Sequence, residues 1–399
     1  MLGLEAERTS YCEVLKAYVG SKRRTYERAY QAVQGPRFYK QWAMVKMFVK
    51  PDKYAANVIR SKAPRAIQYR DPAFNLMVAT YLRPLEHNYY EFKDKFDLRV
   101  VAKGLNNIER AQNLVDAAAM FENPVFVLLD HSKFDSHVRV EHLKFVHSIY
   151  HSVYKSRFLK FLLTHQIRNR GVTKGGIRYT VKGTRMSGDY DTALGNTLLN
   201  HYMLWKVFKL VKHHILLDGD DSVVVMEMRD LPQIDFGLFD RMGMKTEWSV
   251  ATEIEDVEFC RSKLLPLDPP RFAREAHRAL SNQSISLRTY SGKDAWQRYL
   301  AGVGAGEMAA SNGVPILGPC ARKLAALHTN PIYDPSYGFK GTPGDYIEPT
   351  MDARIAYWKA WGITPQEQLQ IEADYVTPEL EDGHLKLSNV DWYESCPAC

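Results

Sequence analysis

Two short apolar runs on either side of an acidic turn are the sharpest hydrophobic pattern in the chain. Residues 215–217 are apolar, Gly219, Asp220 and Asp221 follow, and residues 223–225 are all valine. Short apolar runs that flank Asp-Gly predict a β-hairpin. Because adjacent carboxylates repel each other, a tip that carries both favours a bound cation. A Gly-Asp-Asp turn also arises by chance as an ordinary solvated turn, so other segments must support this interpretation.

A second apolar run predicts a buried strand. Residues 125–129 are apolar and Asp130 follows them directly. Such an uninterrupted run is typical of a strand that is covered on both faces. A carboxylate at the point where a buried strand reaches the surface is well placed for a functional site. Asp135 is predicted at the start of a helix that runs through Val138 to Tyr150, where a simple N-cap is the alternative role for its side chain.

A polar stripe beside a tight turn distinguishes a third segment. Ser187 and Gly188 form the predicted turn, and a helix follows it. Thr192 and Asn196 are four residues apart and therefore share one face of that helix. The stripe suits hydrogen bonding to a ligand, with a plain polar surface as the alternative. The opposite face is predicted to be buried, with Leu194, Leu198, Tyr202 and Trp205.

Other segments have the periodicities of regular elements. Apolar positions three and four residues apart predict helices over residues 73–90, 105–120, 274–280, 294–300 and 352–361. Thr364 and Glu367 have the spacing of a capping box with Pro365 at the first helical position, which predicts one more helix. Hairpins are predicted over residues 171–183 and 257–265.

Positive charge is concentrated in one region. The chain has 399 residues with 53 Lys and Arg against 46 Asp and Glu, a net charge of +7. Residues 37–70 carry nine basic side chains and a single acid, Asp52, among apolar residues that indicate ordered strands. A fixed cluster of this kind suits triphosphate or nucleic-acid backbone, while a solvated charged face is the alternative. The candidate ligands in this cluster are Lys53, Lys62, Arg65 and Arg70.

Membrane and secreted classes are not indicated by the composition. No apolar run reaches the roughly 18 residues that a membrane span needs, and the N-terminus lacks the pattern of a signal peptide. The five cysteines are scattered and odd in number, which suits a reducing compartment.

Taken in order, these segments resemble the viral RNA-dependent RNA polymerases of positive-strand RNA viruses, most closely the tombusvirus-like group. Any one segment is a weak signal, but six in the correct order and spacing are specific. The resemblance covers about residues 45 to 265. It rests on residues 62–70 (motif F), Asp130 and Asp135 (motif A), Ser187, Gly188, Thr192 and Asn196 (motif B), Gly219, Asp220 and Asp221 (motif C), Lys245 (motif D) and residues 259–263 with Lys263 (motif E).

The resemblance implies an α+β right-hand polymerase fold with fingers, a palm built on an antiparallel sheet, and a helical thumb. The fingers are expected over residues 1–120, with the basic nucleotide-entry segment at 37–70. The palm is expected over 121–265, interrupted by a fingers insertion at about 150–185. The thumb is expected over 266–399.

The resemblance also implies a two-metal reaction. Asp130 and Asp220 are expected to hold two Mg²⁺ ions, with Asp221 assisting and Mn²⁺ as an alternative metal. Two such ions suit in-line phosphoryl transfer, since one activates the primer hydroxyl and the other steadies the triphosphate. Lys245 is expected to act as a general acid toward pyrophosphate, with a plain solvated lysine as the alternative.

Nucleotide and RNA contacts are implied for the remaining motif residues. The motif F cations, Lys62, Arg65 and Arg70, are expected to neutralise the incoming triphosphate, and Lys53, upstream of the motif, is expected to bind nucleotide or RNA. Asp135 and Asn196 are expected to contact the ribose 2′-hydroxyl, while Ser187, Gly188 and Thr192 support that pocket and the template. Lys263 is expected to grip the primer strand.

Template-directed RNA synthesis from ribonucleoside triphosphates, in viral genome replication, is the function that follows. The expected partners are the RNA template, the product strand and other viral or host replication proteins. The expected location is the host cytoplasm, in membrane-associated replication complexes that the chain reaches through partners, since it shows no transmembrane segment of its own. Two alternatives are a reverse transcriptase, against which Gly219 and Asn196 argue, and a catalytically inactive RNA-binding scaffold of polymerase fold.

Overall fold

The structure is a computed structural model. It describes residues 3–35, 37–52, 60–283, 285–286, 289–333, 345–381 and 384–386. Lys53, one of the predicted nucleotide ligands, lies outside the described residues.

Helices account for most of the regular structure. Their bounds are α1 (Tyr11–Lys16), α2 (Gly20–Val33), α3 (Pro72–Tyr90), α4 (Asn107–Ala118), α5 (Phe134–His137), α6 (Val140–Tyr154), α7 (Arg157–Ile167), α8 (Thr192–Phe208), α9 (Gly237–Arg241), α10 (Ala276–Gln283), α11 (Lys293–Ser311), α12 (Leu317–Ala325), α13 (Met351–Trp361) and α14 (Pro365–Asp374).

The strands are short and form four sheets among the described residues. Their bounds are β1 (Val45–Val49), β2 (Ala66–Tyr69), β3 (Pro124–His131), β4 (Arg168–Thr173), β5 (Arg178–Lys182), β6 (His213–Asp218), β7 (Asp221–Glu227), β8 (Thr246–Ala251), β9 (Glu258–Phe259), β10 (Ser262–Leu265), β11 (Arg271–Arg274), β12 (Glu379–Glu381) and β13 (His384–Lys386). The strand orders are β2-β1-β4-β5, β6-β7-β3-β8, β11-β10-β9 and β12-β13.

The chain divides into two compact units. The first consists of residues 1–103 and 117–250, and the second of residues 104–116 and 251–399. The residues predicted to form the thumb, 266–399, lie in the second unit, which also contains residues 251–265 and 104–116, and the thumb boundary stays a prediction. The boundary predicted between fingers and palm at residue 120 lies within the first unit and stays a prediction.

The core of the first unit is built on the sheet β6-β7-β3-β8. β3 pairs antiparallel with β7, and β7 pairs antiparallel with β6. The valines of β7 are fully buried, and the apolar run of β3 is buried except for Leu128, which is partly exposed. Helix α3 packs into the same core and begins with Asp71, whose side chain accepts from the Ala73 amide, and Pro72 at its first position.

A smaller four-stranded sheet lies in the same unit. β1 pairs antiparallel with β2 and parallel with β4, and β4 forms a hairpin with β5. That hairpin matches the one predicted over residues 171–183. The basic segment 37–70 thus contributes two strands, as its interleaved apolar residues indicated.

The second unit has its own core. Helices α11, α12 and α13 pack around buried residues such as Trp296, Leu317 and Tyr357. The predicted capping box is present, because the Thr364 hydroxyl accepts from the Glu367 amide and the Glu367 carboxylate accepts from the Thr364 amide. The helix predicted over residues 274–280 begins two residues late, because Arg271–Arg274 pairs with Ser262–Leu265 as a strand.

The helix predicted to start at Asp135 was wrong in detail. Residues 134–154 form two helices, α5 and α6, instead of a single helix from Asp135 through Val138 to Tyr150. The carbonyl of Val138 accepts from the Thr184 amide at 2.7 Å, and the carbonyl of Asp135 accepts from the Arg185 amide at 2.9 Å. These carbonyls bond to another segment rather than to the next helical turn, so the helix breaks between them.

Within the parts of the chain that are described, no helix combines the length and the hydropathy that crossing a bilayer requires.

Candidate functional site

The acidic turn lies at the end of the β6–β7 hairpin. Gly219 has a φ of 73°, a left-handed conformation that glycine adopts without steric cost and that the tight turn requires. Asp220 is exposed on the turn, while Asp221 begins β7 and pairs with Asp218. The prediction that both carboxylates share the tip is thus correct for Asp220, and Asp221 lies one step into the strand.

Asp130 lies at the end of the neighbouring strand. Leu129 is paired with Ser222, so Asp130 and Asp221 are the next residues of two adjacent antiparallel strands. Although Asp220 as a residue is exposed, the surrounding turn partly desolvates its carboxyl group and raises its pKa above that of an ordinary aspartate, and the charge of Asp130 raises it further. The structure therefore places the strand-end carboxylate close enough to the turn carboxylate for their charges to interact.

A buried hydrogen-bonded chain holds this turn from behind. The Asn200 amide group donates to the carbonyl oxygens of Gly219 at 3.0 Å and Asp220 at 3.3 Å. Its side-chain oxygen is 2.9 Å from Nε2 of His131, whose Nδ1 is 2.8 Å from the Thr246 hydroxyl. Burial lowers the pKa of His131, so the ring is neutral at neutral pH. These hydrogen bonds link β3, α8 and β8 to the turn that presents Asp220.

Lys245 lies beside the end of β3. Its backbone carbonyl accepts from the Ser132 amide at 2.9 Å, and its side chain is exposed. The structure therefore places Lys245 next to the strand that carries Asp130, and leaves its predicted role as a general acid a prediction.

Asp135 and Asn196 are brought together as predicted. The Asn196 amide group donates to the Asp135 carboxylate at 2.7 Å, and the Asn196 oxygen accepts from Nε of Arg185 at 3.3 Å. Burial raises the pKa of Asp135. The pair is oriented from behind by a buried cation, because Arg185 itself is bonded to Asp191 at 2.7 Å. Asp135 is the second residue of α5, so it is not the N-cap that the alternative required.

The loop of Ser187 and Gly188 is fastened to strand β2. The Gly188 amide donates to the Gln68 carbonyl at 2.7 Å, and the Ser187 hydroxyl accepts from the Gln68 amide at 3.3 Å. A Cβ at Gly188 would lie 2.6 Å from the Cβ of Tyr69 and 2.8 Å from the Gln68 carbonyl. The position therefore requires glycine for close backbone approach, and the contact joins the motif B segment to the motif F segment.

Thr192 closes the same loop at the start of α8. Its hydroxyl donates to the carbonyls of Met186 and Asp189, both at 2.9 Å. On the far face of α8, Leu194 and Leu198 are buried as predicted. Trp205 is 48% exposed, so the prediction of a buried face was wrong at that position.

Arg70 requires a correction. It was predicted to contact the triphosphate, but only 1% of the residue is exposed. Its guanidinium pairs with Asp189 at 2.7 Å and also donates to Ala43 and Asn169. A cation enclosed in this way does not reach a nucleotide, and it instead holds the motif B loop against the small sheet.

The other predicted cations are differently placed. Lys62 and Arg65 are exposed, and Arg65 makes two hydrogen bonds to Asp52, at 2.6 and 2.9 Å. Lys263 belongs to the second unit, where its ammonium lies 3.8 Å from Asp256 and 5.3 Å from the ring centroid of Trp361. Whether these three bind nucleotide or RNA stays a prediction.

Comparison with known proteins shows the family to which the chain belongs. The profile of the family described as "Viral RNA dependent RNA polymerase" matches residues 1–382. The chain belongs to this viral RNA-dependent RNA polymerase family. It is 33% identical over 392 residues to the RNA-directed RNA polymerase of Pothos latent virus (isolate Pigeonpea/India), covering 94% of the chain and 52% of that protein.

Two further polymerases are similar. The RNA-directed RNA polymerase of Oat chlorotic stunt virus (isolate United Kingdom) is 32% identical over 377 residues, 86% of the chain and 50% of that protein. That of Turnip crinkle virus is 31% identical over 390 residues, 91% of the chain and 50% of that protein. The chain spans about half the length of the curated relatives it matches.

The metal role predicted for the three aspartates of this polymerase-family chain stays a prediction. Among the described residues, no three His, Cys, Asp or Glu side chains are grouped so that they could hold a metal ion. Asp130, Asp220 and Asp221 are therefore not a complete ligand set. Mg²⁺ keeps several waters and takes one or two carboxylates together with substrate phosphates. The pair Asp130 and Asp220, whose like charges raise the pKa of Asp220, fits that requirement.

Sequence reasoning missed the buried residues that position the site of this polymerase-family chain. These are His131, Arg185, Asp189, Asp191 and Asn200. Burial is the largest influence on Asp191 and by itself would raise its pKa, but the charges of Arg185 and His147 and the hydrogen bonds from Gln166 and Arg185 together outweigh it, so the pKa is lowered. A charged residue within an otherwise apolar or small-residue segment was the available signal. The sequence could not indicate which partner each one meets.

Proposed function

We propose that the chain catalyses template-directed RNA synthesis from ribonucleoside triphosphates by nucleotidyl transfer. The observation that carries the proposal is the electrostatic contact between Asp130 and Asp220, at the ends of adjacent strands, in a member of the viral RNA-dependent RNA polymerase family. Two like charges held by rigid strands store a repulsion that a divalent cation relieves. The right-hand arrangement of fingers, palm and thumb is part of the same proposal.

Different residues would bind the metal, position the turn and transfer a proton. Asp130 and Asp220 would hold Mg²⁺, which when bound supplies activation of the attacking hydroxyl and stabilises charge on the triphosphate. The Asn200 amide group fixes the carbonyls of the turn, so that the Asp220 carboxylate keeps one position. Exposed Lys245, beside the end of β3, would donate a proton to the departing pyrophosphate.

Selection of the sugar is proposed for Asp135 and Asn196. The Asn196 amide group is already bonded to Asp135, and Arg185 fixes the Asn196 oxygen. A site built to hydrogen-bond a hydroxyl rejects an analogue without it, because its buried polar groups are then left unpaired. The pair is therefore expected to favour ribonucleotides, which also separates the proposal from a reverse transcriptase.

The test is incorporation of labelled ribonucleotides by the purified protein on a single-stranded RNA template with Mg²⁺. Asp220→Ala is expected to abolish template-dependent product, while Asp240→Ala, an exposed aspartate of α9 outside the site, should leave it unchanged. Product that persists in the Asp220 variant would place the chemistry elsewhere. RNA binding without any product from the unsubstituted protein would favour the inactive scaffold, and equal use of deoxyribonucleotides would favour a reverse transcriptase.

Partners and location extend the proposal. The RNA template and product strand would bind along the basic regions, and other viral or host replication proteins would join the complex. We place its action in the host cytoplasm, at membrane-associated replication complexes reached through such partners. Co-fractionation of the expressed protein with membranes only when other viral proteins are present would support this, and fractionation independent of them would contradict it.

A further inference from the structure

The small sheet of the first unit has one face that is basic and exposed. The cross-strand pairs Lys46–Tyr69, Lys46–Val172, Arg168–Lys182, Arg170–Thr180 and Val172–Arg178 place these residues on a common face. Paired residues of neighbouring strands project to the same side of a sheet. Five cations of this face are exposed, namely Lys46, Arg168, Arg170, Arg178 and Lys182. We call this surface the basic face.

The opposite face of the sheet is turned toward the protein interior. Asn169 is fully buried and donates to the carbonyls of Gln166 and Gly183, both at 3.0 Å. Gly171 lies under the ring of Tyr179, whose hydroxyl donates to the Gln68 side chain at 2.6 Å. In β4, Arg168 and Arg170 point outward while Asn169 and Gly171 point inward. Contacts within the protein explain the two inward residues, but none of these contacts explains the two outward arginines.

The charges of the basic face have no visible counterpart. The four strands contain no aspartate or glutamate. Arg168 and Lys182 lie directly opposite each other, and like charges in that position destabilise an antiparallel pair. Among the described residues, no carboxylate forms an ion pair with Lys46, Arg170 or Arg178. A row of cations that weakens its own sheet is best explained by an anionic ligand outside the chain.

An aromatic platform lies within the same row. Phe48 continues the alternation of β1 from Lys46, is 44% exposed, and contacts the Tyr69 ring with 5.6 Å between ring centroids. Cations that follow a backbone and aromatic rings on which bases stack are the combination that binds single-stranded nucleic acid. Because the cations are spread over several strands of a sheet, the surface suits an extended strand better than a single nucleotide.

The basic face also adjoins the proposed polymerase site. Tyr69, on this face, forms a bridge with Gly188 of the motif B loop. We propose that the basic face binds the single-stranded RNA template and guides it to the site, with phosphates on the cations and a base on Phe48. This inference rests on the proposed function for the identity of the strand, but its binding step can be measured without catalysis.

The test is fluorescence anisotropy with a labelled single-stranded RNA oligonucleotide, without nucleotides, over a series of salt concentrations. For single strands the logarithm of the binding constant falls with the logarithm of salt concentration, with a slope of about −0.7 for each neutralised phosphate. Arg168→Gln/Arg170→Gln is expected to weaken binding and to make the slope less negative by about 1.4. Lys46→Gln/Lys182→Gln, a second pair on the same face, should have the same effect.

A matched control removes two exposed lysines outside the sheet. Lys144→Gln on α6 and Lys160→Gln on α7 change the net charge equally and should leave the slope as in the unsubstituted protein. Phe48→Leu should weaken binding by about fivefold or more with the slope unchanged, because it removes stacking and no charge. An unchanged slope in both arginine and lysine pairs, or the same change in the control, would overturn the inference.

Two further arms separate the inference from its alternatives. Equal loss of affinity for duplex RNA would refute single-strand binding, and loss of binding to anionic vesicles without loss of RNA binding would identify a membrane surface instead. Asp220→Ala should bind RNA normally, since it lies outside the basic face. If the unsubstituted protein makes no product but the basic-face variants lose RNA binding, the inference is supported and the proposed function is refuted. If the unsubstituted protein makes product and the basic-face variants still bind RNA normally, the inference alone is refuted.

Discussion

The hydrogen-bonded chain from Thr246 to the acidic turn makes a quantitative prediction at Asn200. The Asn200 side chain is fully buried and makes three hydrogen bonds, to His131 at 2.9 Å, to the Gly219 carbonyl at 3.0 Å and to the Asp220 carbonyl at 3.3 Å. Asn200→Ala removes all three and leaves the buried imidazole nitrogen without a partner.

The size of the effect follows from these contacts. A typical buried hydrogen bond contributes about 1 kcal/mol net, and an orphaned buried polar group costs about 1–3 kcal/mol. We expect Asn200→Ala to lower the free energy of unfolding by about 2–4 kcal/mol. The turn that carries Asp220 also loses its support, and a shift of about 1 Å in a catalytic group costs on the order of 100-fold in rate. The kcat of polymerisation should therefore fall by a larger factor than the KM for nucleotide rises.

A double-mutant cycle with His131→Phe tests the coupling. The phenyl ring preserves the packing of His131 against Phe134 and Phe239, whose centroids are each 5.4 Å away, but has no hydrogen-bonding atom. In the double variant the orphaned nitrogen no longer exists, so the two losses should not add. We expect a coupling of about 1–3 kcal/mol in urea unfolding followed by circular dichroism.

The control lies one turn earlier on the same helix. Thr197→Val removes a buried hydroxyl that donates only to the Ala193 carbonyl of α8, at 2.8 Å. It should change the unfolding free energy by about 1 kcal/mol or less and leave kcat unchanged. Additivity of Asn200→Ala and His131→Phe within about 0.5 kcal/mol, together with unaltered kcat, would refute the reasoning.

Three more outcomes can be checked. Gly188→Ala should lower the free energy of unfolding by about 1–3 kcal/mol and reduce polymerisation, because the new Cβ would lie under 3 Å from atoms of β2. Gly175→Ala, whose Cβ would have no atom closer than 3.9 Å, should change neither quantity. Thermal melting and nucleotide incorporation measure the two effects. The pKa of Asp220 is raised in the folded state, so ionisation of its carboxyl group lowers the stability of the fold as pH rises through that pKa. Asp220→Asn should therefore raise Tm in metal-free buffer at pH 7 and abolish the increase in Tm that Mg²⁺ produces. An unchanged response of Tm to Mg²⁺ would contradict the metal assignment. Burial lowers the pKa of His147 to about 4 in the folded state, from about 6.5 in the unfolded state. The stability that the neutral imidazole contributes is therefore present above pH 6.5 and is lost as pH falls toward 4. The urea midpoint of the unsubstituted protein should drop between pH 7 and 5, and that of His147→Gln should drop less steeply.

The sequence by itself determined which residues form the local elements of the site. The apolar runs predicted β3, β6 and β7 because a buried strand must be apolar on both faces. The turn glycine and the position of Asp130 after a buried run then followed from local geometry. The order of the motifs identified the family, which the profile match confirmed. Asp135 and Asn196 could be paired only through the resemblance to that family.

Tertiary structure decided the partners of the charged residues. Arg70 is a cation in a basic segment, and its sequence context cannot reveal that Asp189, more than a hundred positions later, encloses it. The break between α5 and α6 has the same origin, since the carbonyls of Val138 and Asp135 accept from Thr184 and Arg185. Helix periodicity reports only contacts three or four residues apart. Hydrogen bonds and ion pairs between distant segments depend on how those segments pack, and that packing places the buried positioning residues behind the site.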